Sequence, residues 1–315
     1  MNENQHTICL IKPTLGNRLG ILLLTFIVML IAVGLIKLVL DSIITDSRTA
    51  ILASSVTQAL FAFILPAWLA AYLCSHSAAS YLGTNTPVAS RQFLGVLILL
   101  VIMMPAMNSI VAWNENLSLP ASMSALEQSM RSMEDAAAAM TDILLGDTTV
   151  WGFISGVLIV GILTGIAEET FFRAGLQKAL ASAGINHHVA IWTAAFIFST
   201  IHFQFFGFVP RLLLGAAFGY IYHTTQPLWV AASAHALNNS IVVITAWLVN
   251  RGLMNADIEQ IGVDGSGTTI WKWVSLAATL VFIACFWHKT FCAPSSRQLN
   301  ISKQQLRTFK KENNG

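Results

Sequence analysis

Four polar side chains set in apolar sequence, Glu168, His202, His235 and Asn239, have the chemistry of a hydrolytic site. A carboxylate held away from water and within reach of a substrate is a candidate general base. Glu168 lies in the run Gly165-Ile-Ala-Glu-Glu-Thr-Phe-Phe-Arg173. On a helix Glu169 and Arg173 are four residues apart with the acid first, the favourable order for an ion pair. Glu168 then points about 100° away and has no local cation. Glu169 and Arg173 therefore read as a supporting pair, and Glu168 as the acid left free for chemistry. The pattern Glu-Glu-x-x-x-Arg alone describes an interfacial salt bridge equally well. The histidines change the balance. His202 closes Phe198-Ser-Thr-Ile-His202, and His235 precedes Asn239 by four, which puts imidazole and amide on one helix face. A lone histidine on an apolar face is usually a hydrogen-bonded core residue. Two of them with a carboxylate and an amide are hard to explain as packing.

The elements that position these groups must be membrane helices. Of 315 residues 55% are hydrophobic and 10% charged, against about a quarter charged in an average soluble domain. The fold class is all-α, a polytopic transmembrane helix bundle of about eight spans. The apolar runs are 19–40, 50–74, 93–113, 149–169, 188–206, 210–225, 227–249 and 270–288, each judged against the roughly 20 residues a bilayer needs. Continuous runs rather than alternation select helices over a barrel. The opening polar stretch and long first run read as an uncleaved first span, not a signal peptide. Ionisable groups are costly inside a membrane. Lys37 and Lys272 stand near span ends, whereas Glu168, Glu169, Arg173, His202, His235, Asn238 and Asn239 collect between 168 and 239. Gly152, Gly156, Gly161 and Gly165, with Gly215 and Gly219, have the small-residue spacing of closely packed membrane helices.

Charge placement orients the bundle. The tail carries Lys289, Arg297, Lys303, Arg307, Lys310 and Lys311, while the 114–148 loop carries six acids and a single basic residue, Arg131. The sequence thus predicts a multi-pass protein of the plasma (inner) membrane with both termini cytoplasmic and that loop outside. The loop has a helical apolar stripe through Met123, Leu126, Met130, Met133, Met140 and Leu144. It reads either as an interfacial helix or as a lid over a substrate entrance. The basic tail suits anionic headgroups. Cys9, Cys74, Cys285 and Cys292 show neither metal nor disulfide spacing, and no repeat suggests a transporter. Three regions follow: 1–148 with the first helices and the loop, 149–249 with the catalytic core, and 250–315 with the last helix and tail.

Glu168-Glu169-x-x-x-Arg173, Phe198-x-x-x-His202 and His235-x-x-x-Asn239, in this order, resemble the CPBP (CAAX protease and bacteriocin-processing, Abi/Rce1-like) family of intramembrane glutamic endopeptidases. The stretch from Pro210 to Tyr222 is similar as well, and the resemblance covers about residues 160–245. It implies that Glu168 and His202 activate a water while His235 and Asn239 stabilise the oxyanion. It also implies a membrane-associated or lipid-modified peptide substrate, the bilayer as partner, no nucleic acid and no cofactor. A zinc site with Glu, His and His ligands is chemically permissible, although no His-Glu-x-x-His motif is present. Intramembrane Glu and His also suit a proton-coupled transporter, and a non-proteolytic scaffold or immunity protein is a further reading.

Overall fold

The computed structural model describes residues 9–284 of the chain. Among them the regular elements are all helical: α1 (Leu15–Ile43), α2 (Ser47–Cys74), α3 (Ser90–Glu115), α4 (Ser124–Leu145), α5 (Val150–Ser182), α6 (His187–Thr200), α7 (Phe208–Thr225), α8 (Leu228–Asn250) and α9 (Ile270–Phe282). A short turn of helix, Ala78–Leu82, lies between α2 and α3. The basic tail, Cys285 and Cys292 lie outside the described residues.

The apolar helices are lipid-facing as well as core-forming. In α1, Thr14 caps the first turn by accepting from the Asn17 backbone, and Leu22 is the one buried residue of the helix. Leu24, Ile31, Leu35 and Leu38 are each more than 60% exposed. A fully exposed side chain of this size forgoes about 1.5–3 kcal/mol of transfer free energy in water, so such a surface belongs in hydrocarbon. The interior is centred on Phe63, Phe171, Phe172, Phe198, Phe218 and Leu228. Phe172 meets Phe198 edge-on at 5.1 Å between ring centroids.

Among the described residues six helices are long and apolar enough to cross a membrane: Leu15–Ile43, Ser47–Cys74, Ser90–Glu115, Val150–Ser182, Phe205–Thr225 and Leu228–Asn250. That is two fewer than the eight expected, and the last expected run, 270–288, extends past the described residues. The run 188–206 contains α6, whose 14 residues reach only about 21 Å at 1.5 Å each. The chain turns there because Phe203 takes a left-handed backbone conformation, φ 53°, and a 3-10 turn, Phe205–Gly207, feeds α7. His202 sits in that turn. The run 270–288 is represented by the 13 residues of α9. Conversely, α5 does not end near residue 169. Every residue from Gly165 to Gln177 except Ile166 is buried, so the helix passes through the core to Ser182.

Two further details matter for function. Pro105 interrupts the backbone ladder of α3, and Ser275 of α9 repairs it. The Ser275 hydroxyl donates to the Ile102 carbonyl at 2.5 Å and accepts from the Ala106 backbone at 3.2 Å. The loop helix α4 has no buried residue, and Leu126, Met133, Met140 and Ile143 remain exposed. It is tied at its ends. Arg131 pairs with Glu127 at 2.9 Å and lies 4.0 Å over the Phe206 ring. Arg48 donates to the Leu144 carbonyl at 3.0 Å and faces Asp147 at 3.4 Å.

Candidate functional site

The site is built where α5 and α8 approach most closely. A Cβ placed on Gly165 would stand 2.7 Å from the Ala236 backbone nitrogen and 2.9 Å from its Cα. A Cβ on Gly161 would stand 2.4 Å from the Ser240 hydroxyl. Only glycine permits this spacing, and it brings the residues after Gly165 against His235. On both sides of Thr164–Glu169 the helix widens to π-type hydrogen bonding, over Gly156–Leu163 and Thr170–Gln177. Such widened turns are frequent at functional sites.

The acidic pair and the α8 histidine form one buried chain. Arg173 Nε donates to Glu169 Oε2 at 2.9 Å, and both side chains are fully buried. The other oxygen of Glu169 lies 3.0 Å from His235 Nδ1, and His235 Nε2 lies 3.4 Å from Glu168 Oε2. The ion pair read from sequence is therefore present. Glu168, read as free of local partners, meets His235 across the helix interface. Glu169 has a second duty, since it also orients His235. Because Glu169 is an acceptor paired with a guanidinium, His235 Nδ1 must carry a hydrogen. His235 Nε2 and Glu168 Oε2, 3.4 Å apart, are within ion-pair range of each other.

His202 and Asn239 stand around this chain. His202 Nδ1 donates to the Phe198 carbonyl at 2.7 Å, which leaves Nε2 as its acceptor. Phe198 is the hub of the arrangement. Its ring meets His202 edge-on at 5.0 Å and His235 edge-on at 5.8 Å, and lies under the Arg173 guanidinium at 5.6 Å. Two Arg173 nitrogens make no hydrogen bond among the described residues, so this cation–π contact is what the remaining guanidinium face receives. Phe218 of α7 stacks on His235 at 4.8 Å. Asn239 Nδ2 reaches the Val160 carbonyl of α5 at 3.4 Å. A cavity of about 200 Å³, with Ser55, Gln58, Thr164, Val160 and Leu144 in its walls, opens onto Glu168. Among the described residues no group of three or more His, Cys, Asp or Glu side chains is arranged to hold a metal ion.

One cation of the site escaped the sequence reading. Arg211 of α7 donates to the Gln204 side chain at 2.8 Å and acts electrostatically on both Glu168 and His202. It meets the same criterion that singled out the others, a charge beside an apolar run. The roles of Phe198 and Phe218 carry no such signal, because aromatic residues are ordinary in membrane helices.

Residues 150–241 match the model of the type II CAAX prenyl endopeptidase Rce1-like family. That match covers less than a third of the 315 residues. The helices flanking this segment are not covered by the match. Among curated proteins, YpbD of Bacillus subtilis (strain 168), itself uncharacterised, is 27% identical over 92 residues, 28% of this chain and 44% of YpbD. The chain thus spans less than half the length of that relative. No solved structure matches the chain. The matched segment contains all of Glu168, Glu169, Arg173, His202, His235 and Asn239.

Proposed function

We propose that this chain is an intramembrane endopeptidase that hydrolyses a peptide bond in a membrane-associated or lipid-modified substrate. The observation that carries the reading is the buried chain Arg173–Glu169–His235–Glu168, with both His235 nitrogens facing carboxylates. A cavity at Glu168 supplies space for a water and a carbonyl group. In the proposed reaction Glu168, assisted by His202 Nε2, takes a proton from water, and the oxygen attacks the scissile carbonyl carbon. The oxyanion is met by His235 Nε2–H and by the Asn239 amide. The tetrahedral intermediate then collapses as the C–N bond breaks, and the proton held by the glutamate passes to the leaving amine. Glu169 and Arg173 keep the His235 proton in place. In this scheme Arg211 sets the electrostatic surroundings without touching the water.

The scheme requires no metal ion. Its test is cleavage of membrane peptides by the purified chain in lipid vesicles. Turnover should survive chelators and fall about 100- to 1000-fold in Asn239→Ala, the loss typical of one oxyanion donor. Stoichiometric zinc that leaves together with activity when His202 or His235 is replaced, alongside a mild Asn239→Ala defect, would replace this scheme with a metalloprotease.

A further inference from the structure

A second cavity, of about 430 Å³, opens between α3, α7, α8 and the segment 258–263. That is within the size range of ligand sites. Met103, Met104 and Met107 of α3, Leu214 of α7 and Ile241 of α8 form its walls, and methionine walls adapt to irregular apolar shapes. The loop that closes it is fixed in place. Asn108 Nδ2 donates to the carbonyls of Ile258 and Ile261 at 3.1 and 3.2 Å. Gly262, at φ 91°, packs so tightly that a Cβ would stand 2.4 Å from the Pro105 carbonyl oxygen.

The lining of this cavity combines two chemistries. It includes the exposed carboxylates of Glu115 and Glu259. Glu259 and Glu134 both lie near enough to repel Glu115, and among the described residues neither Glu115 nor Glu259 forms an ion pair. It also includes Asn238, whose amide nitrogen lies 3.4 Å from Asn239 Oδ1. One cavity therefore joins an acidic pair to the neighbour of a proposed oxyanion donor.

We infer that this cavity receives apolar residues of the peptide substrate beside the scissile bond, and that Glu115 and Glu259 receive a Lys or Arg of the same peptide. The word substrate rests on the proteolytic reading above; the binding does not. Thr245, Asn238 and Gln260 among the apolar walls suit the amides of a peptide, which an acyl chain lacks.

The test uses the full chain with Glu168→Gln in detergent micelles and a short fluorescein-labelled Leu/Val peptide bearing one terminal Lys, read by fluorescence anisotropy. The Lys peptide should bind about tenfold more tightly than its Glu counterpart, attraction at two carboxylates being exchanged for repulsion. Replacing both acids, Glu115→Gln with Glu259→Gln, should erase that difference. Ala112→Phe should weaken both peptides by narrowing the cavity. Should that variant not fold, the exposed glutamate pair still decides the matter. Equal binding of the two peptides overturns the inference, as does displacement of the Lys peptide by dioleoylphosphatidylethanolamine, which would assign the cavity to lipid. Charge-selective binding, together with no cleavage of any membrane peptide by the wild-type chain, would uphold the cavity and reject only the proteolytic reading.

Discussion

His235 is gripped from both sides by carboxylates, and this divides the labour of the two glutamates. Glu168→Gln preserves shape, so the protein should fold with its thermal stability nearly unchanged while cleavage is abolished. Glu169→Gln is different. It leaves Arg173 buried without an anion, a change that costs about 3–5 kcal/mol when one partner of a buried pair is lost, and it removes the acceptor that fixes His235 Nδ1. It should lower both the melting temperature in detergent and the turnover. A stable, inactive Glu169→Gln beside an active Glu168→Gln would reverse the assignment. Sequence spacing revealed the Glu169–Arg173 pair because both lie on one helix. It could not show His235 as the shared partner, since that contact joins residues 66 apart in the chain and depends on how α5 and α8 pack.

Helix approach is the corresponding variable at the scale of elements. Gly165→Ala would drive a methyl group into the Ala236 backbone, where nothing flexible can yield. The helices must separate, and with them the 3.4 Å contact of Glu168 with His235. Cleavage should fall at least about tenfold, the effect of little more than 1.4 kcal/mol on the barrier. Gly20→Ala in α1, with nothing within 4 Å of the added carbon, is the control and should leave activity intact. Full activity in Gly165→Ala would show that this close approach does not set the site. The loop helix α4 depends on charge. Hydrogen bonds from Thr149 and then the Arg48 guanidinium hold the Asp147 carboxyl below its usual range. Hydrogen bonds from the Leu119 backbone and from Arg131 do the same for Glu127. Groups depressed in this way stabilise the folded anchor above their unfolded pKa values, about 3.9 and 4.3, and lose that contribution as pH falls through the lowered folded values. Protection of the α4 amides from hydrogen exchange, taken relative to their intrinsic rates, should persist at pH 6 and be lost only below about pH 4. Loss already at pH 6 would contradict the anchoring role. The stripe of α4 was legible from period alone, as were the long apolar helices. The early end of α6 was not, because a single left-handed residue, Phe203, decides it and no glycine or proline marks the spot.

Across the whole molecule, the segment that matches the family model is buried by helices outside the match, chiefly α1, α2 and α3. Phe63 of α2 and Leu22 of α1 share the core with Phe171 and Phe172, so truncation to residues 150–241 should not yield a folded protein. The expected orientation can be read directly. Cysteines introduced at Ser122 and Ala183, at opposite ends of the stretch that contains α5, should label from opposite sides of a membrane, with Ala183 on the cytoplasmic side. The claim on which the rest depends is that Glu168 makes this bundle a peptidase. It is tested most directly by comparing peptide termini in membranes holding equal amounts of the wild-type chain and of Glu168→Gln, grown in part in ¹⁸O-water. New carboxyl ends that carry the water oxygen should appear with the wild type and be absent with the variant. The same set of ends in both membranes, with the two proteins equally folded, would contradict it.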